Sequence, residues 1–115
     1  MSENSRVVSI FEKSIASFVE AMRPAEDMRD EVDIGYTFEK NTLILLEIRP
    51  SYVKPGIIVK SPIAKAKFIK SRSIWKLYWC RADESWDPYQ PNPELENLTD
   101  VFEIINEDEY GCFWG

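Results

Sequence analysis

The stretch AKAKFIKSRSIWKLYWC, residues 64–80, spells out a β-hairpin. Ala64, Ala66 and Phe68 alternate with Lys65, Lys67 and Ile69, and Trp75, Leu77 and Trp79 alternate with Lys76, Tyr78 and Cys80. Because successive strand residues point to opposite faces, each half presents one apolar and one basic side. The turn falls near Ser71 to Ser73. With a four-residue loop, Phe68 faces Trp75, Ala66 faces Leu77 and Ala64 faces Trp79, so small residues oppose large ones as a packed face requires. A two-residue loop keeps both faces with shifted partners, and a three-residue loop mixes them. The opposite face then gathers Lys65, Lys67, Lys76 and Tyr78.

The neighbouring segments extend this hairpin into a meander. Upstream, Gly35 to Glu39 and Thr42 to Arg49 read as strands joined by a polar turn at Lys40 and Asn41, with Pro50 closing the second. Pro50 to Pro62 carries three prolines and one glycine, which predicts an irregular loop with a short strand at Ile57 to Lys60. Downstream, Ser85 to Tyr89 reads as a further strand, after which Pro88, Pro91 and Pro93 block pairing. Helical spacing appears twice. Val7, Val8, Phe11, Ile15, Phe18, Val19 and Met22 form one apolar stripe, capped by Ser5 and stopped by Pro24; Leu95, Leu98, Val101, Phe102 and Ile105 form another over Glu94 to Asn106, capped by Asn92 or Asn97. The last residues, Tyr110 to Gly115, are rich in aromatics, so Phe113 and Trp114 are expected to dock on the body. The expected fold is α+β: an N-terminal helix (1–24) packed on an antiparallel meander of four to five strands (34–89), a C-terminal helix (94–106) and a docked aromatic tail (107–115), all in a single domain of 115 residues.

Charge is segregated along the chain. From Arg49 to Arg81 there are nine bases and no acid, and after Arg81 ten acids and no base, within a net charge of −6. Such a pattern either neutralises itself on folding or shows a basic surface to an anionic partner. The longest apolar run, Leu43 to Leu46, is far short of the roughly 20 residues a bilayer span needs, and the acidic start lacks the basic region of a signal peptide. A cytoplasmic protein with no membrane partner is expected, with Cys80 and Cys112 as free thiols.

The strings Ile63-Ala64-Lys65-Ala66, Trp75-Lys76-Leu77-Tyr78-Trp79 with Arg81-Ala82-Asp83 and Trp86 behind it, and Gly111-Cys112-Phe113-Trp114-Gly115 resemble a family of small bacterial proteins, domain of unknown function 3024. The resemblance runs from about Asp33 to Gly115. It implies a bacterial source and a single uncharacterised domain, with no activity to carry over. In that family a histidine often follows the third tryptophan, where this chain has Asp87, so any role of that histidine is absent here or dispensable.

With no histidine in the chain, Ser-His and Cys-His nucleophiles and His-based metal sites are closed. The two cysteines are too far apart for a Cys-x-x-Cys pair. Gly56 to Ser61 lacks the glycines of a phosphate loop, and Asp83, Ser85, Asp87 and Glu94 match a calcium loop except that Pro88 stands where a left-handed glycine is required. No cofactor or metal is expected. Glu47 and the Glu107, Asp108, Glu109 run are better read as solvated charge than as an acid–base pair, and Cys112 beside that run should resist ionisation.

Three functional readings follow. The first is a non-catalytic protein-interaction or adaptor module with a protein partner. The second is a nucleic-acid or polyanion binder using Lys65, Lys67, Lys76, Tyr78 and Arg81, and the third an enzyme using carboxylates with Arg49 or Arg81 on a small anionic substrate. For the second, lysines crowded on one sheet face need nearby anions, so Glu94, Glu96, Asp100 and Glu103 are expected within about 8 Å of them, a Debye length.

Overall fold

The computed structural model describes residues 3–114, with side chains from Phe11 onward. Helix α1 spans Glu3–Met22, starting ahead of Ser5, the residue expected to cap it. The side chains of Val7 and Val8 lie outside the described residues. Pro24 does stop the helix, and the Arg23 N–H closes its last turn on Val19 O at 3.1 Å. A 3-10 turn at Glu26–Met28 leads into strand β1, Asp33–Glu39. Arg23 fastens this junction with a two-point contact to Asp33, both N···O distances 2.9 Å.

The remaining elements are β2 (Thr42–Pro50), β3 (Ile58–Ile69), β4 (Ile74–Cys80), β5 (Trp86–Pro88), β6 (Glu94–Leu95) and α2 (Leu98–Glu107). Strands β1 to β5 pair antiparallel in chain order. Lys40 and Asn41 join β1 to β2 with φ of 50° and 60°, the left-handed pair that matches the twist of a two-residue hairpin. The central hairpin has the four-residue loop and pairs Phe68 with Trp75, Ala66 with Leu77 and Ala64 with Trp79.

Two departures from the sequence reading have local causes. The expected short strand at Ile57 to Lys60 is continuous with the next one, because a bulge between Leu45↔Ala64 and Leu46↔Pro62 accommodates Ile63 and lets β3 run for 12 residues. Proline at position 62 therefore sits inside a strand, beside the bulge. The second departure is at the prolines after β5. The Tyr89 N–H donates to Leu77 O (2.9 Å) and the Leu77 N–H to Pro93 O (3.1 Å), so the chain loops out over Gln90 to Asn92 and returns to the same edge as β6. Proline interrupts that edge without ending it. Since Glu94 and Leu95 pair with Lys76 and Trp75, α2 starts at Leu98, four residues later than expected, with Asn97 as its N-cap residue.

Both helices pack on one face of the sheet. Leu43, Leu45, Ala64, Ala66, Trp75 and Leu77 are buried there beneath Ile15 and Val19 of α1 and Val101, Phe102 and Ile105 of α2. Phe11 meets Phe68 and Trp75 edge-on, and Phe18 stacks on Phe102 at 4.7 Å. The tail docks as expected. Phe113 is buried against Tyr89, and the Trp114 indole N–H donates to Ile105 O at 2.9 Å while its ring stays partly exposed.

Candidate functional site

The opposite sheet face carries no helix among the described residues. Alternation places Ile44, Leu46 and Ile48 of β2, Lys65 and Lys67 of β3, Lys76 and Tyr78 of β4 and Trp86 of β5 on it, all pointing away from the core. Lys65 lies across from Tyr78 and Lys67 across from Lys76. The Lys65 ammonium sits 4.7 Å above the Tyr78 ring and 5.5 Å from the Trp86 ring, so the aromatics hold it by cation–π attraction. Of the five residues expected to form this surface, four share the face. Arg81 does not join them, because it lies past the end of β4 in a 2.9 Å ion pair with Asp87.

Every ion pair among the described residues uses an arginine, and Lys65, Lys67 and Lys76 have none of the described carboxylates within 4 Å. The expected acidic shield is split between the two sides of the sheet. Glu94 does lie beside Lys76 and grips Arg72 in a two-point contact of 3.0 and 3.1 Å, which holds its carboxyl below the usual range. Asp100 and Glu103, however, ride on α2, whose apolar stripe fastens it to the far face of the sheet.

A second surface lies where β2 and β3 outrun the sheet. β4 flanks β3 only from Ala64 onward, and β1 flanks β2 only as far as Asp33↔Ile48, so Arg49↔Val59, Pro50↔Ile58 and the turn between them project as a short arm. Its tip exposes Tyr52 (86%), Val53 (85%), Ile57 (52%) and Ile58 (58%). The tip is nonetheless a defined turn. Ser51 N–H donates to Ile57 O at 2.8 Å, Ser51 Oγ accepts from the N–H groups of Val53 and Lys54, and Gly56 supplies the required positive φ of 81°. Arg49 stacks its guanidinium 4.6 Å over the Tyr52 ring. Four large apolar side chains between Pro50 and Val59 are the sequence signal for this surface, which a reading of the segment as a loop with a short strand at Ile57 to Lys60 leaves aside.

Two clefts are lined by described residues. One of about 220 Å³ opens at the interrupted edge, lined by Lys76, Leu77, Tyr78, Pro88, Pro93 and Glu94. The other, of about 370 Å³, is lined by Met22, Pro24, Val32, Ile34, Glu47, Asn106 and Trp114. Each has a single carboxylate in its described lining, so neither assembles an acid–base pair. Burial first, and neighbouring acids second, push both thiols up, Cys80 beside Glu84 and Cys112 beside Asp108. No group of three His, Cys, Asp or Glu side chains among the described residues is placed to hold a metal ion.

A family model described as a domain of unknown function, DUF3024, matches residues 4–115. The chain belongs to that family. No curated protein and no solved structure matches it. The match takes in α1 as well as the region from Asp33 onward. In this DUF3024 chain the Trp75 to Trp79 string is the central strand β4, and the Gly111 to Gly115 string contains the docked Phe113. Both strings belong to the packing of the fold. No helix among the described residues is long and apolar enough to cross a membrane.

Proposed function

We propose that this chain is a non-catalytic interaction module that docks on a partner protein through the tip of the β2–β3 arm. The carrying observation is the exposure of Tyr52, Val53, Ile57 and Ile58 together on one hydrogen-bonded turn, with Tyr52 and Val53 the most exposed large apolar side chains among the described residues. Aromatic and aliphatic anchors on a preformed turn bind with little ordering cost, since the hydrogen bonds around Ser51 already fix the backbone. Arg49, Lys54 and Lys60 border the anchors and favour an apolar partner surface rimmed by acids. The free thiols of Cys80 and Cys112 fit a reducing compartment such as the cytoplasm. Affinity purification from the native host tests the reading with three baits. A protein retained by the parent and by the Lys65→Gln, Lys67→Gln, Lys76→Gln variant, but lost by Tyr52→Ser, Val53→Ser, Ile57→Thr, Ile58→Thr, is the expected result. Identical profiles for parent and tip variant would refute it.

The polyanion reading is favoured by a separate observation: three lysines with no carboxylate partner among the described residues flank Tyr78 and Trp86 on the sheet face opposite the helices. Stacking on the two rings and contact with the ammonium groups would hold single-stranded RNA weakly, with strong salt dependence. Fluorescence anisotropy of a labelled oligonucleotide at low and high salt decides this reading. An absence of binding at low salt removes it.

A further inference from the structure

We infer that the cleft of about 370 Å³ between the C-terminal ends of the two helices binds a small organic cation with an apolar body. Its size falls within the range of small-molecule sites. Met22, Val32 and Ile34 supply apolar wall from α1, the linker and β1, and the Trp114 indole supplies an aromatic one. That ring is held in place because its N–H donates to Ile105 O at 2.9 Å and its backbone N–H to Asp108 at 2.8 Å. The cleft wall is thus preformed on three elements and the docked tail.

The charge in the lining comes from Glu47 alone among the described residues. Its position is informative. On β2 the helix-covered face reads Leu43, Leu45, Glu47, so the carboxylate stands where the alternation calls for another core residue. Its side chain is 38% exposed, and its one ion-pair partner among the described residues, the Arg49 Nε, stays 3.5 Å away while that guanidinium also stacks on Tyr52. Carboxylate capacity is left facing the cleft. The other cations near the rim are already engaged: Arg23 by Asp33 and Glu20, and Arg29 by Pro24 O and Glu20. Met22 and Asn106 also mark the C-terminal ends of α1 and α2, where the helix dipoles present negative charge. A carboxylate, two negative helix ends and an indole ring all attract a cation, and the apolar walls accept its body.

NMR titration with benzyltrimethylammonium, benzyl alcohol and phenylacetate tests this inference. The cation is expected to shift the Trp114 indole N–H and the Met22, Val32 and Ile34 methyl signals while leaving the Trp86 indole on the other sheet face unmoved. Glu47→Gln should weaken the cation about tenfold and leave benzyl alcohol unaffected. Should that variant fail to fold, Trp114→Leu provides the check, with loss of the cation-induced Met22 shift expected. Equal binding of the alcohol or the anion, unchanged cation affinity in Glu47→Gln, or no shifts at about 10 mM probe overturns the inference.

Discussion

Asp108 ends α2 and fastens the tail in one residue. It adopts a left-handed conformation at φ 44°, its N–H closes on Ile104 O at 3.0 Å, and its two carboxylate oxygens accept from the N–H groups of Phe113 (3.0 Å) and Trp114 (2.8 Å). Aspartate tolerates that backbone better than most residues, and hydrogen bonds to a charged acceptor are the stronger kind. Asp108→Ala should therefore cost about 2 kcal/mol in urea unfolding, with Asp108→Asn costing less because one acceptor remains. A second residue-scale prediction concerns pH. Hydrogen bonding from Arg23 holds the Asp33 carboxyl below its ordinary value. A folded pKa depressed below the unfolded one, about 4, contributes stability that is present above the unfolded value and is lost as pH falls through the folded one. Asp33→Asn should be less stable than the parent at pH 7, and the two should converge in acid. A constant gap from neutral to acidic pH would contradict that assignment.

At the scale of elements, the β3–β4 hairpin is the part that carries its own specification. Alternation, loop length and the small-against-large pairing of Ala66 with Leu77 all point to one register, which is the one observed. Leu77 is fully buried, so Leu77→Ala should lower stability by about 2 to 5 kcal/mol, read from the urea midpoint. The lysine face was legible from the same alternation. Strand β6 was not, because Pro91 and Pro93 speak against pairing in any local window while its partner, β4, lies across the edge loop. The length of β3 was hidden for a related reason: Pro62 reads as a terminator unless the bulge at Ile63 is known. The Glu47 cleft draws on six segments, which no spacing rule connects. The arm tip, by contrast, should be dispensable for folding. The fourfold tip variant is expected to keep the parent's melting temperature, since its side chains are exposed; a fall of several degrees would make the tip a structural element.

For the whole molecule, the sheet divides two environments. One face is closed by α1, α2 and the tail, and the other, uncovered among the described residues, carries lysines and aromatics. The chain's charge segregation is only partly neutralised inside the fold: Arg72 and Arg81 take acids from the C-terminal block, while the sheet lysines take none among the described residues. Closing the covered face depends on its last piece. Deleting residues 110–115 removes Phe113 from against Tyr89, and the melting temperature should drop as that apolar surface meets water. Docking through the arm is the central claim, and site-specific photo-crosslinking in the native host tests it most directly. A photoreactive phenylalanine analogue at Val53 should yield one discrete adduct with another protein, and the same analogue at the exposed Glu12 of α1 should not. No adduct at Val53, or the same adducts at both positions, would contradict the account.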